Sequence, residues 1–483
     1  MGLGFAFFSY SYCSNRQQFP KRCVRAPCES RPGTLRTLSS YDVAMRASSP
    51  SGNGWHSRFG PTVIPELRRR FNQRFVESNY TGLLRRLKER CGVPVEFRVA
   101  ETPIFVAESL LTGLAAEGIN LAQSIIANSS CLNAAREAIP AGYRVPNETA
   151  HPNFLTADFA LIRDAGGALV TRLVEIQAFP SVYGYQVELC SAYRDEYGLD
   201  SGPYNGLGVF LSGLDEESYW QLLSRTILAG HDPQNVVLTE LDPLRQKTLP
   251  DFKVTARRLG IAVVDIRSLE PVGNRLHYRN QQGRLVPIQR IYNRAIADEL
   301  IVKSIRLPFD LEREWDLEWA GHPNWYFLIS KFSIPWLSSS TVPPAVFLND
   351  FLEGQGREKL ARAGAPLPQE SGLGTIYDQL LLKPLFSFAG KGIEFSPSRA
   401  LLESIEPSMR HEFMLQQRMH FEPTIETPFG LTQAEIRILY AWPDGGNLTP
   451  TLSLVRLGRG KMMGVDHNRD LQWVGASAAF FPA

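Results

Sequence analysis

Apolar positions recur at helical spacing through TVIPELRRRFNQRFVESNYTGLLRRLKERC, residues 62–91, with arginines on the remaining faces. That period predicts helix. AESLLTGLAAEGINLAQSII, residues 107–126, predicts another. From about residue 150 the pattern changes to short β runs divided by Gly, Asp and Pro. NVVLTE (235–240), IAVVDI (261–266) and IQRIYNR (288–294) read as strands, and FKVTARRLG (252–260) reads as a helix between the first two. A β-α-β rhythm of this kind implies some parallel pairing. SSSTVPPAV (338–346) reads as a linker, and LLLKP, EFMLQQRM and AEIRILY follow it as further strands. The organisation expected is an extension over 1–60, a helical region over 61–145, an α/β domain over 146–340 and a last lobe over 341–483. The fold class expected is α+β.

The most informative stretch is TADFALIRDAGGALVTRLVEIQAFPSVYGYQ, residues 156–186. ADFALI and ALVTRLVEIQAF read as two strands joined by turn chemistry in Asp-Ala-Gly-Gly. A turn centred near Gly166 sets residue 158 against 174 or 175, and so Asp158 against Glu175. Side chains repeat every two residues along a strand, so Glu175 and Gln177 share a face. Two facing carboxylates repel unless a cation lies between them. Two carboxylates and an amide oxygen form a hard donor set that suits Mg²⁺; the competing reading is a solvated hairpin face.

A second candidate is LLLKPLFSFAGKGIEF, residues 380–395. Lys383 ends an apolar strand, and Gly390-Lys391-Gly392 offers a loop whose backbone N–H groups and ammonium suit phosphate. It is not a Walker A loop, because GxxxxGK[ST] is absent. Gln416 and Gln417 close EFMLQQRM, while Glu435 and Arg437 share a face of AEIRILY. Arg456, Arg459 and Lys461 lie among glycines in LVRLGRGKMMGVDHN, where they suit either a polyphosphate or a solvated edge.

Composition narrows the classes. The chain has 483 residues, 44% hydrophobic and 21% charged, with a net charge of +2, so bulk electrostatics give no case for nucleic acid. No apolar run approaches the roughly 18 residues of a membrane span. Six cysteines without a CxxC pair suit a reducing compartment and no zinc site, so a cytoplasmic location is expected. Residues 1–60 are rich in Arg, Ser and Pro. They read either as a disordered extension, with Met45 an alternative start, or as an organelle-targeting segment.

In their order along the chain these segments resemble the ATP-grasp ligases, specifically the circularly permuted kind represented by the synthetase part of glutathionylspermidine synthase. ADF and VEIQAFPS stand where that family has its metal-binding Asp and Glu-x-Asn. LLKPLFSFAGKGI, FMLQQRM and EIRILY stand in the nucleotide-binding role. The resemblance covers roughly residues 150–483. It implies a two-lobed nucleotide site behind a pre-grasp-like α/β domain, with ATP and Mg²⁺ as cofactors. By position, Lys383 would touch the α/β-phosphates, and Gly390, Lys391 and Gly392 would form a lid. Gln416 and Gln417 would meet the adenine, and Asp158, Glu175 and Gln177 would hold the metal. Lys391 and Arg437 would act on the transferred phosphoryl group. The reaction implied joins a small-molecule or peptide carboxylate to an amine through an acylphosphate. A small-molecule kinase and a non-catalytic nucleotide-binding protein are the alternatives.

The chain departs from the family in having Gln177 for its Asn, and Thr156 for the Arg two residues before its Asp. It also lacks an N-terminal Cys/His amidase signature, so glutathione or spermidine as substrate does not follow. Asp466 and Asn468 form a rival acidic-x-Asn pair. For the acceptor site the residues singled out are Tyr183, Tyr185 and Gln186, then Asp242, Arg245 and Lys247, then Arg290, Asn293 and Arg294. His322, Asn324 and Trp325 read first as core packing.

Overall fold

The Asp-Ala-Gly-Gly turn closes the expected hairpin. Asp164 Oδ1 accepts from Gly166 N and Ala168 N, both at 2.9 Å. Strands Phe154–Arg163 and Leu169–Gln177 then run antiparallel, with Asp158 opposite Glu175 and Thr156 opposite Gln177. The register shifts between Asp158 and Phe159, which pairs with Leu173, so Val174 is the extra residue of a bulge. Bulges re-aim side chains.

This is a computed structural model, and it describes residues 63–356, 360, 379–387, 390–464, 468 and 470–483. The readings of residues 1–60, Asp466 and His467 fall outside that range. The described residues belong to one unit, Trp55–Ala483, of α+β class.

The hairpin is built into a larger antiparallel sheet with strands from the C-terminal part of the chain. Its order is Gly475–Ser477, Thr449–Gly458, Gly430–Ala441, Phe154–Arg163, Leu169–Gln177, with Pro423–Thr427 also paired to Gly430–Ala441. Alternation gives this sheet two characters. Leu155, Ala157, Phe159, Ile436 and Ile438 are buried in an apolar core with Leu110, Leu111, Leu114, Leu121 and Ile125 of helix Glu108–Ala127. Asp158, Glu435 and Arg437 lie on the other face, as a period of two requires. By length and composition helix Glu108–Ala127 reaches what a membrane span needs, which the sequence reading did not find. Here its apolar stripe covers the sheet, and each fully buried leucine contributes about 1.5–3 kcal/mol.

The β-α-β expectation holds in a separate parallel sheet, ordered Glu318–Ala320, Arg290–Asn293, Val236–Glu240, Ala262–Asp265, with helix Leu249–Leu259 between the last two strands in sequence. A small antiparallel sheet orders Ala345–Phe347, Phe413–Gln417, Leu380–Pro384 and Glu394–Phe395. The stretch read as a linker is tied down: Leu173 N donates to Thr341 O at 2.8 Å, and Ser339 and Thr341 donate to Glu117. The helical pattern over 62–91 is two helices, Pro65–Arg74 and Glu77–Cys91, separated by extended Phe75 and Val76. Cys91, Cys131 and Cys190 are buried free thiols.

Candidate functional site

A cavity of about 440 Å³ opens between the large sheet and the small one. From the small sheet and its loop come Leu381, Lys383, Gly390, Ile393 and Phe395. From the large sheet come Asp158, Glu175, Gln177, Glu435, Arg437 and Arg456. The hairpin and the Lys-Gly segment, some 200 residues apart in sequence, thus meet across one space.

Register sets most of the electrostatics. Arg437 is the direct cross-strand partner of Asp158, and its guanidinium grips that carboxylate in two bonds: Nε to Oδ1 at 2.6 Å and Nη2 to Oδ2 at 2.7 Å. Arg456 is the cross-strand partner of Glu435 and donates to both Glu435 and Asp158. Burial works against the charge of Asp158, but the two guanidinium groups outweigh it and hold the carboxyl below its usual value. Glu435 goes the other way: burial pushes it up to about 7, against the pull of Arg456. Arg437 Nη1 also donates to Ser181 Oγ at 3.0 Å.

Glu175 accepts from Lys331 Nζ at 2.9 Å, and the same ammonium donates to Ser387 O. Gln177 lines the cavity, and no hydrogen bond of its side chain occurs among the described residues. Three oxygen-bearing side chains therefore converge as the hairpin predicts, but both Asp158 oxygens and one Glu175 oxygen are already bonded to cations. Among the described residues there is no cluster of three or more His, Cys, Asp or Glu side chains fit to hold a metal.

Lys383 is 4% exposed and lines the cavity without a hydrogen-bonded partner among the described residues. Burial pushes its ammonium down to about 8, with Glu175 opposing that fall. Gly390 also lines the wall, at φ +71°, and a Cβ there would stand 2.2 Å from Met462 Cε. Lys391 is exposed and off the wall; Gly392 has φ +76°. Gln416 is fully buried beside Leu381 in register, and neither its Oε1 nor its Nε2 has a partner among the described residues. A buried amide in that condition is costly unless a further group satisfies it. Neither Gln416 nor Gln417 is part of the cavity wall itself.

The other expectations sort clearly. Tyr183 and Gln186 are scaffold: the Tyr183 hydroxyl donates to Leu155 O and Tyr440 O, and Gln186 Nε2 to Ser453 O and Ser477 O. Tyr185 is buried in the core. Asp242 pairs with Arg267, and Arg290 pairs with Glu318 and Asp444. Neither Arg245, Lys247 nor Asn293 reaches the cavity wall; Arg294 does, while paired to Asp251 at 3.2 Å. Asn324 Oδ1 accepts from Val145 N at 3.0 Å, and Trp325 is core, as read. Buried Asn468 donates to Met462 O and Gly464 O, which braces the loop after Arg459. Lys331 and Ser181 were not singled out in the sequence. The signal for Lys331 was a single lysine inside the apolar run FLISKFSIPW.

No protein-family model and no curated protein matches the chain. Among solved structures it is similar to a glutathione synthetase-like effector from Globodera pallida in apo form. That match has 10% identity and a TM-score of 0.46, covering 84% of this chain and 99% of the other.

Proposed function

We propose that this chain binds ATP between its large and small sheets and joins a carboxylate substrate to an amine through an acylphosphate. The observation that carries the reading is Lys383. It is a buried ammonium with no acid bonded to it among the described residues, aligned on a strand that faces Asp158, Glu175 and Arg437 across one cavity. The resemblance in motif order supports the same assignment. Gln416 supplies an amide able to donate to and accept from an adenine edge, on the same face of the small sheet as Leu381 and Lys383.

The residues present do not fit the magnesium ion that the resemblance implies. Mg²⁺ is usually held by one or two carboxylates beside its phosphates and waters. Asp158 is gripped by two arginines, and Glu175 and Glu435 are each paired with a cation. No step is therefore routed through a metal.

In the reaction, a substrate carboxylate oxygen attacks the γ-phosphorus of ATP. The bond to the β-bridging oxygen breaks, and ADP leaves. Lys383 and Arg437 neutralise the phosphoryl oxygens in transit, as cations do generally in this chemistry. An amine then attacks the acyl carbon, phosphate leaves, and the amine loses a proton. Exclusion of water protects the acylphosphate, and the apolar rim of Ile393, Phe395, Met419 and Phe421 serves that end.

The test is hydroxylamine trapping. A panel of small carboxylates and peptides is incubated with ATP, enzyme and hydroxylamine, and hydroxamate and ADP are measured. Matched, ATP-dependent formation of both is expected. ADP with a stable phosphorylated product and no hydroxamate would make the protein a kinase, and no ADP with any acceptor would refute the ligase.

A further inference from the structure

Six cations and three carboxylates line the cavity. Each of the three carboxylates is already paired: Asp158 with Arg437 and Arg456, Glu435 with Arg456, and Glu175 with Lys331. Two of these pairings follow from strand register, whereas Lys331 comes from the 3-10 turn Lys331–Trp336. Arg437 sits directly opposite Asp158, and Arg456 directly opposite Glu435. Breaking a buried pair by withdrawing one partner is strongly unfavourable. A metal ion competing for Asp158 must displace a bidentate guanidinium and a second arginine at once.

A phosphate breaks no pair if it takes the N–H groups those pairs leave over, and Arg456 Nε is buried without a hydrogen-bond partner among the described residues. Lys383 and Lys461 line the cavity without a bonded acid among the described residues, and guanidinium groups bind phosphate oxygens in the same forked geometry as carboxylates. Neutralising a polyphosphate by arginine and lysine alone is chemically sufficient for binding. Given the nucleotide reading above, on which this rests, we infer that the site binds ATP without a divalent metal. The cationic set of Lys383, Arg437, Arg456 and Lys461 takes over the charge neutralisation that Mg²⁺ otherwise provides.

The experiment is ATP binding to the full chain by calorimetry, in EDTA and in excess Mg²⁺, at equal ionic strength. Dissociation constants within threefold of each other are expected. Arg456→Gln is expected to weaken binding tenfold or more in EDTA. Lys461→Gln, at an exposed position where folding is not at stake, is expected to weaken it severalfold. Binding that appears only with Mg²⁺, or is at least tenfold tighter with it, overturns this inference and leaves the nucleotide reading standing. Binding in EDTA that neither variant weakens also overturns it. Absence of ATP binding in both buffers overturns the nucleotide reading and this inference with it.

Discussion

Replacing Lys383 with methionine should stabilise the ligand-free protein. The side chain is 4% exposed, and burial lowers its ammonium from 10.5 to about 8. At roughly 1.36 kcal/mol per pH unit, that gap disfavours the charged form by about 3 kcal/mol. Methionine has similar length and no charge, so Lys383→Met at pH 7 should recover up to about 3 kcal/mol. Unfolding entropy of about 2.1 cal/mol/K per residue over about 400 residues converts this to a Tm rise of about 3–4 °C. The pH dependence is specific. Between about 8 and 10.5 the unfolded lysine holds a proton that the folded lysine has released. Stability of the wild type therefore rises with pH across that window, and the advantage of the variant should vanish by about pH 10.5. The assay is ligand-free thermal unfolding of both proteins from pH 7 to 10.5. No gain at pH 7, or a gain that does not change with pH, would mean that water solvates this lysine, and would refute its assignment as a buried unpaired cation.

Other expectations concern the frame of the site. Arg437→Leu leaves buried Asp158 with one cation, and should cost about 3–5 kcal/mol in urea unfolding; a loss under 1 kcal/mol would show that the pair is solvent-screened. Burial raises Glu435 from 4.5 to about 7, so between those values the folded state keeps a proton that the unfolded state gives up, and this group makes stability fall as pH rises. Glu435→Gln should flatten that part of the stability profile, and an unchanged profile would count against the shift. A Cβ at Gly118 would meet the Tyr440 hydroxyl at 1.9 Å, so Gly118→Ala should cost about 1–3 kcal/mol. Adding Tyr440→Phe should recover part of that loss, since it removes the clashing oxygen; a double variant less stable than the sum of the singles would place the strain elsewhere.

The hairpin was legible because everything that sets it is local. Turn residues fix the loop, the period of two fixes the face, and counting back from Gly166 brings Glu175 opposite Asp158. Even the ambiguity between 174 and 175 has a counterpart in the bulge at Val174. The charge pairing across strands was not legible. Arg437 lies 279 residues from Asp158, and Lys331 lies 156 from Glu175. Local periodicity puts Arg437 on a face but does not say which strand lies beside it. For the same reason the three oxygen donors read as free ligands in sequence, whereas the sheet order hands Asp158 to Arg437 and the turn Lys331–Trp336 hands Glu175 to Lys331. Helix Glu108–Ala127 shows the converse: its apolar stripe was plain, while its target, the back of the hairpin sheet, depended on the strand order.

The central claim is that a nucleotide lies between the two sheets against Lys383. Its most direct test is thermal unfolding at pH 7 with and without ATP at a hundredfold excess over Kd, for wild type and Lys383→Met. Binding to the native state alone adds about 2.7 kcal/mol at that excess, so the account predicts a wild-type shift of about 3 °C that the variant loses while remaining folded. An equal shift in both proteins, or none in the wild type, would contradict it.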